Sequence, residues 1–169
     1  MPMREEKKYL IQEGIQGARF HIKRPKLLKF LDIQASNNSM VFVHGTPMSG
    51  KISTCQLLRN LYAAQLGEEN VIMASLLDCV SDTVLDWWNK KFGESFKQSL
   101  NQTQDTVIII DGLQWSYNEA NEPIFALLKL RQQTFPSIGG KVKLIMFATC
   151  KEKVKALLFF CNLTSAEVD

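Results

Sequence analysis

Four apolar runs divide the chain, each closed by turn or polar residues: Met40–Val43, Asn70–Ser75, Thr106–Asp111 and Lys141–Thr149. They are short, rich in β-branched residues and nearly uninterrupted, the pattern of strands buried on both faces. Between them, apolar positions recur every three or four residues. In the stretch from His21 to Leu31, Leu27, Leu28 and Leu31 share a face behind Pro25, and Gln34–Ser39 then reads as a polar loop. Leu57, Leu58 and Leu61 mark a helix over Lys51–Leu66 that stops at Gly67. Ser81 or Asp82 is placed to cap a helix reaching about Leu100, with Val84, Leu85, Trp88, Phe92 and Phe96 on one side. Two adjacent tryptophans cannot both face one core, so one of Trp87 and Trp88 is expected at an edge or interface. Asn121 is placed to cap a last helix carrying Ile124, Leu127, Leu128 and Arg131 and ending before Pro136.

This alternation predicts an α/β three-layer sandwich with a mostly parallel sheet of about four to five strands. Residues 1–39 are expected to be a polar lead-in with a short helix, 40–150 the core, and 151–169 a tail. For the tail a helix or an irregular segment is favoured over a fifth strand. A parallel crossover needs about a dozen residues or more, and few follow Thr149.

The turn after the first run carries the most specific chemistry. Gly45 and Gly50 bracket Thr46, Pro47, Met48 and Ser49, and Lys51 follows, giving G-x-x-x-x-G-K between a strand and a helix. Glycines at both ends let backbone N–H groups turn inward on an anion, the helix start adds its positive end, and Lys51 supplies a mobile cation. By composition the bare triplet arises in roughly one chain in twenty of this length, and its strand-and-helix setting lowers that further. The hydroxyl that completes the pattern is missing: Ile52 stands there, with Ser53 and Thr54 behind it.

Composition narrows the rest. A chain of 169 residues with 46% hydrophobic content has material for one sizeable core. A net charge of +3 is too small to argue for nucleic-acid binding, and the cluster Lys23, Arg24, Lys26 and Lys29, without interleaved aromatics, reads as a solvated helix face. Cys55, Cys79, Cys150 and Cys161 lack metal-ligand spacing and read as reduced thiols. With no apolar stretch near ~18 residues and a charged start, neither a membrane span nor a signal peptide is seen, and an intracellular, cytoplasmic location is the default.

The segment GTPMSGK, the strand TVIIID about sixty residues later, the R-P-x-L-L-x-x-L lead-in and the strand end FAT together resemble the P-loop NTPase core of AAA+ and STAND proteins, over about Arg24 to Thr149. A fainter likeness is to the ATPase region of Crinkler-type proteins. The resemblance implies ATP and magnesium as ligands, with Gly45 to Ser53 as the nucleotide-binding segment. It implies Asp111 as a metal-supporting Walker B carboxylate acting through water, and Thr149 as the polar strand end that senses the outer phosphate. Gly112 stands where many such ATPases carry the water-activating glutamate. Arg131 ends a region from which rings of this class project an arginine toward a neighbour's phosphate, although an ordinary solvated arginine complementing the helix dipole fits as well. No helical lid is expected within these residues, so the fold is expected to be incomplete.

Three functions are consistent with this. The first is an ATP-binding module with weak or lost hydrolysis, acting as a switch or assembly component alone or through a protein partner or self-association. The second is an active magnesium-dependent ATPase that recruits Glu119 or Glu122 as its carboxylate. The third is an interaction remnant of the fold that binds no nucleotide.

Overall fold

The computed structural model describes residues 24–38, 40–45, 50–79, 82–134 and 141–149, and the backbone of 165–167. Five strands form one sheet: β1 (Val41–Gly45), β2 (Val71–Ser75), β3 (Thr106–Asp111), β4 (Val142–Thr149) and β5 (Ser165–Glu167). Their order is β2-β3-β4-β1-β5 and every pairing is parallel. The helices are α1 (Pro25–Asn37), α2 (Lys51–Leu66), α3 (Val84–Phe92), α4 (Phe96–Leu100) and α5 (Glu122–Thr134).

Handedness explains where these helices lie. The connection from β1 to β2 runs one way along the sheet, whereas those from β2 to β3 and from β3 to β4 run back. Right-handed crossovers in opposite directions must lie on opposite faces. The core divides accordingly, and the two-residue period of each strand does the dividing. Val41, Val43, Val107, Ile109, Ile145 and Phe147 pack with Leu31 and Ala35 of α1 and Cys55, Leu58 and Tyr62 of α2. Their neighbours Phe42, Ile108, Ile110, Leu144 and Met146 pack on the other side with Trp87, Trp88, Phe96, Ile124 and Leu128.

Several expected boundaries move. Gln34–Asn37, expected in a loop, continue α1: Ala35 is buried, and the Asn38 amides on the Gln34 carbonyl close the helix one turn later. The single helix expected up to Leu100 is two, because Gly93 takes a left-handed φ of 72° and Ser95 with Gln98 forms a capping box that starts α4. Thr83, not Asp82, caps α3 by accepting from Asp86 N, and Ser81 lies outside the described residues. Nor does Asn121 spend its side-chain oxygen on α5: Oδ1 accepts from Val84 N at 2.7 Å and joins the starts of α3 and α5.

Both tryptophans are buried, against the expectation that one would lie at an edge. α4 packs against α3 on the Trp88 side. Trp88 packs at 4.9 Å from Phe96 and donates Nε1–H to Ser99 Oγ, while Trp87 meets Phe92 edge-on beneath the Lys91 ammonium.

The tail also departs from expectation: β5 pairs in parallel with β1, Phe42 opposite Ser165 and His44 opposite Glu167. A parallel crossover requires about a dozen residues or more, and a three-residue strand placed this late satisfies that. The lead-in helix belongs to the core as well. Tyr62 Oη donates to Asp32 Oδ1 at 2.7 Å and Lys143 Nζ reaches the same oxygen at 3.3 Å, fastening α1 to α2 and β4. Burial, the hydrogen bond to Asp32 and its charge push the Tyr62 phenol well up.

If α1 is integral to the core, Leu31→Ala should cost about 2–5 kcal/mol in denaturant unfolding, since Leu31 is wholly buried, whereas Ile33→Ala on the exposed side should change stability by under about 0.5 kcal/mol. Equal effects of the two substitutions would show that α1 is only a surface appendage.

Candidate functional site

In open parallel sheets the ligand crevice lies beyond the carboxyl ends of the strands, where successive connections leave for opposite faces. Here β1 feeds α2 on one face and β3 leads to α5 on the other, with β4 between them. Three of the expected site residues meet that edge: Gly45 ends β1, Asp111 ends β3 and Thr149 ends β4. Gly45 and Thr149 are direct partners in the ladder.

Thr46, Pro47, Met48 and Ser49 lie outside the described residues, so the loop is framed by its two glycines and by Lys51. Gly50 enters α2 with φ 82°, a left-handed conformation that any side chain would strain. Lys51, first residue of α2, is buried to 8% exposure, and its Nζ donates to the Gly45 carbonyl at 3.2 Å. Burial lowers the Lys51 pKa, and the negative charge of Asp111 works against that shift. Asp111 is itself only 5% exposed. The site thus holds a desolvated ammonium beside a desolvated carboxylate, at the mouth of a glycine-framed loop. Cys55, one turn further along α2, is wholly buried; burial, reinforced by Asp111, pushes its thiol well up, so it stays protonated.

Of the two hydroxyls behind Ile52, that of Thr54 is committed to the backbone. Ile52 and Ser53 are half-buried on the first turn of α2, and Ile52 has no oxygen to offer a metal. Thr54 is wholly buried, and its Oγ1 donates back to the Gly50 carbonyl at 3.0 Å. Asp111, the carboxylate of the expected metal set, stands at the carboxyl end of β3. Among the described residues no three His, Cys, Asp or Glu side chains gather into a metal-binding group.

The turn after β3 explains Gly112. It has φ 77° and is buried, and a Cβ there would fall 3.1 Å from Trp115 Cδ1. Leu113–Ser116 then make one tight turn, with Ser116 Oγ donating to the Leu113 carbonyl. This turn presents Gln114, whose Oε1 accepts from Thr149 N at 3.0 Å and couples the end of β4 to the residues after Asp111. The sequence reading passed over Gln114. The available signal was a polar side chain inside an otherwise apolar and glycine-bearing turn at a strand end.

The remaining candidates lie elsewhere. Arg131 is neither a projecting arginine nor a solvated one: it is 6% exposed, and its guanidinium donates to the Leu100 carbonyl at 3.0 Å and to the Val142 carbonyl. Val142 begins β4, so Arg131 works at the amino edge of the sheet, opposite the loop; burial lowers its pKa. Its apolar spacing with Ile124 and Leu128 was the sign that it faced inward. Glu119 is exposed on an open groove lined by Asp82, Thr83, Asn118 and Asn121, and Glu122 is exposed on the first turn of α5. Among the described residues no helix is long and apolar enough to cross a membrane.

No protein-family profile and no curated protein sequence matches the chain. Solved structures do match in fold. C. elegans PCH-2 superposes with a TM-score of 0.51 at 12% identity over 85% of this chain and 42% of its own. A Walker-type ATPase of Pyrococcus abyssi gives 0.57 at 13% identity over 88% and 53%. AMPPCP-bound DnaA from Aquifex aeolicus gives 0.52 at 15% identity over 89% and 48%. The chain spans about half the length of these proteins. At such identities the likeness concerns architecture, and the architecture of this chain is that of the P-loop NTPases.

Proposed function

We propose that the chain is an ATP-binding module of the AAA+/STAND type, with weak or lost hydrolysis, used as a switch or as part of an assembly, with a protein partner or with itself. The observation that carries this reading is Lys51. Its ammonium is buried against the Gly45 carbonyl and beside Asp111, at the crevice where the parallel sheet changes direction. A buried ammonium beside one carboxylate returns little net stability after desolvation, which suits it to a binding role better than to a structural one. A triphosphate is of the right charge, and the glycine-framed turn with the start of α2 offers it backbone donors. The AMPPCP-bound neighbour supports a nucleotide as the ligand class.

Magnesium fits the site in part. Asp111 would support the ion, as its position at the end of β3 allows, but Ile52 leaves the direct hydroxyl contact unfilled. Bound magnesium would supply charge neutralisation of the β and γ phosphates. The protein's own residues would then bind and orient: Lys51 would move from the Gly45 carbonyl to the outer phosphates, and Thr149, tied to Gln114, would face them from β4. Gly112 brings no base to the water. The active-ATPase alternative would have to draw its carboxylate from Glu119 or Glu122, both exposed. We place the chain inside a cell, and the fainter kinship to the ATPase region of Crinkler-type proteins is part of the same proposal.

Lys51→Ala is expected to weaken equilibrium binding of labelled ATP by about 1.5–3 kcal/mol, the usual loss for a charge-assisted contact, with the variant still folded by circular dichroism. Equal affinities would remove the nucleotide from this site.

Phosphate release by the unaltered chain should stay at background, because positioning and charge stabilisation are the whole of this catalysis and two of its parts are absent. Ile52→Thr should tighten magnesium-dependent ATP binding. Turnover that Lys51→Ala abolishes would promote the working-ATPase reading instead.

Supplying a glutamate at Gly112 should be costly. The left-handed φ and the contact with Trp115 predict that Gly112→Ala lowers stability by about 1–2 kcal/mol, and that Gly112→Glu does so at least as much. Denaturant midpoints at equal m values check this, and an unchanged midpoint for both would mean that the turn relaxes freely.

A further inference from the structure

Among the described residues five large apolar side chains are exposed, and four of them form two pairs. The first pair is Leu77, after β2, and Trp115, after β3; Trp115 is 57% exposed and Leu77 41%. They flank one glycine: a Cβ built on Gly112 would lie 3.1 Å from Trp115 Cδ1 and 3.7 Å from Leu77 N. The indole stands on fixed backbone, since Trp115 N donates to the Gly112 carbonyl at 2.9 Å and Leu113 and Ser116 of the same turn are buried. A side chain presented on ordered backbone gives up little freedom when it binds. The second pair is Phe30 and Ile33, three residues apart on the outer face of α1.

The two pairs sit in surroundings of opposite charge. Lys26 and Lys29 are exposed beside Phe30, and the one acid of α1, Asp32, is engaged by Tyr62 and Lys143. From Trp115 the chain runs in four residues to Glu119, which lines an open groove of about 610 Å³ with Asp82, Thr83 and Asn118. Lys90 and Lys91 offset Asp82 and Asp78, at 2.9 and 3.3 Å. Glu122, exposed like Glu119, adds negative charge beyond those pairs. A chain of net charge +3 thus has a tryptophan-bearing patch with an acidic border. Such a border repels nucleic acid and anionic membrane and favours a cationic protein face.

The two patches cannot meet within one molecule. Leu31 and Ala35 seat α1 against one face of the sheet, whereas Leu77 and Trp115 stand beyond the carboxyl ends of β2 and β3. We propose that the Leu77–Trp115 patch docks the Phe30–Ile33 face of α1 from a second copy of this chain, with Lys26 and Lys29 toward the acidic border. Two different surfaces meet in such a contact, so it is heterologous and can repeat from copy to copy. Each patch is small, which places the contact among weak, transient ones. This gives a surface to the self-association named in the proposed function, and it does not depend on what occupies the phosphate loop.

The test uses the full chain without nucleotide, in sedimentation velocity over a wide range of protein concentration at low and high salt. Wild type should associate as concentration rises, and less so at high salt. Two double variants each lose one surface: Lys29→Glu with Phe30→Ala, and Trp115→Ala with Glu119→Lys. Each by itself should associate about tenfold or more weakly, while an equimolar mixture should form a one-to-one dimer and stop there, because one intact surface of each kind remains. Leu130→Ala, at the fifth exposed apolar side chain, should behave as wild type. Should Trp115→Ala melt well below wild type, Leu77→Lys with Glu119→Lys takes its place. Wild type that stays monomeric at every concentration would overturn the proposal, as would unchanged association in either double variant, an equal loss in Leu130→Ala, or a mixture that does not dimerise. Each of these results leaves the nucleotide reading standing, since Lys51→Ala tests that separately.

Discussion

A parallel sheet has no face it can leave in water, because its strands are apolar on both sides, and every structural choice in this chain follows from covering both. Right-handed crossovers offer a way to do it: reverse the direction of travel along the sheet once, and the helices divide between the faces. The reversal happens after β2, and it puts α2 under one face, where α1 joins it, and α3, α4 and α5 over the other. The crevice at the carboxyl ends results from that packing solution. Gly45, Asp111 and Thr149 meet there because β1, β3 and β4 end there.

Within the crevice the dominant fact is charge held away from water. Lys51 beside Asp111 is a buried pair, and such pairs return little net stability after their desolvation cost. A staple role would therefore return little, which is why the proposed function assigns Lys51 to a bound anion. The same reasoning separates Lys51 from Arg131. Arg131 is also buried and cationic, yet its guanidinium is committed to the carbonyls of Leu100 and Val142, which join α4, α5 and the start of β4. Arg131 closes the amino edge of the fold, whereas Lys51 stands at the edge where ligands bind.

The turn after β3 sets the limits of the chemistry. With Gly112 in a left-handed conformation and Trp115 close above it, the chain there turns tightly and offers Gln114 toward β4 in place of a carboxylate toward water. An amide that fixes the end of β4 can position a ligand, but it cannot take a proton at neutral pH. Together with Ile52, this is what the proposal of phosphate binding without efficient cleavage rests on.

The sequence alone determined what short-range rules govern. Four strands, the phosphate-loop helix with its stop at Gly67, and the glycine-lysine turn were readable because period, capping and glycine conformation act within a few residues. It also singled out Gly45, Gly50, Lys51 and Asp111 as candidates, since they stand at the ends of elements that could be read. Tertiary structure decided the rest, each time through a contact distant along the chain. Trp88 is sealed in by Phe96 and Ser99 of α4; Gln34–Asn37 are helical because Ala35 has a core to enter; and β5 exists because the open edge of β1 can pair with even three residues. Gln114 meets Thr149, 35 positions away, and no local pattern could carry that information.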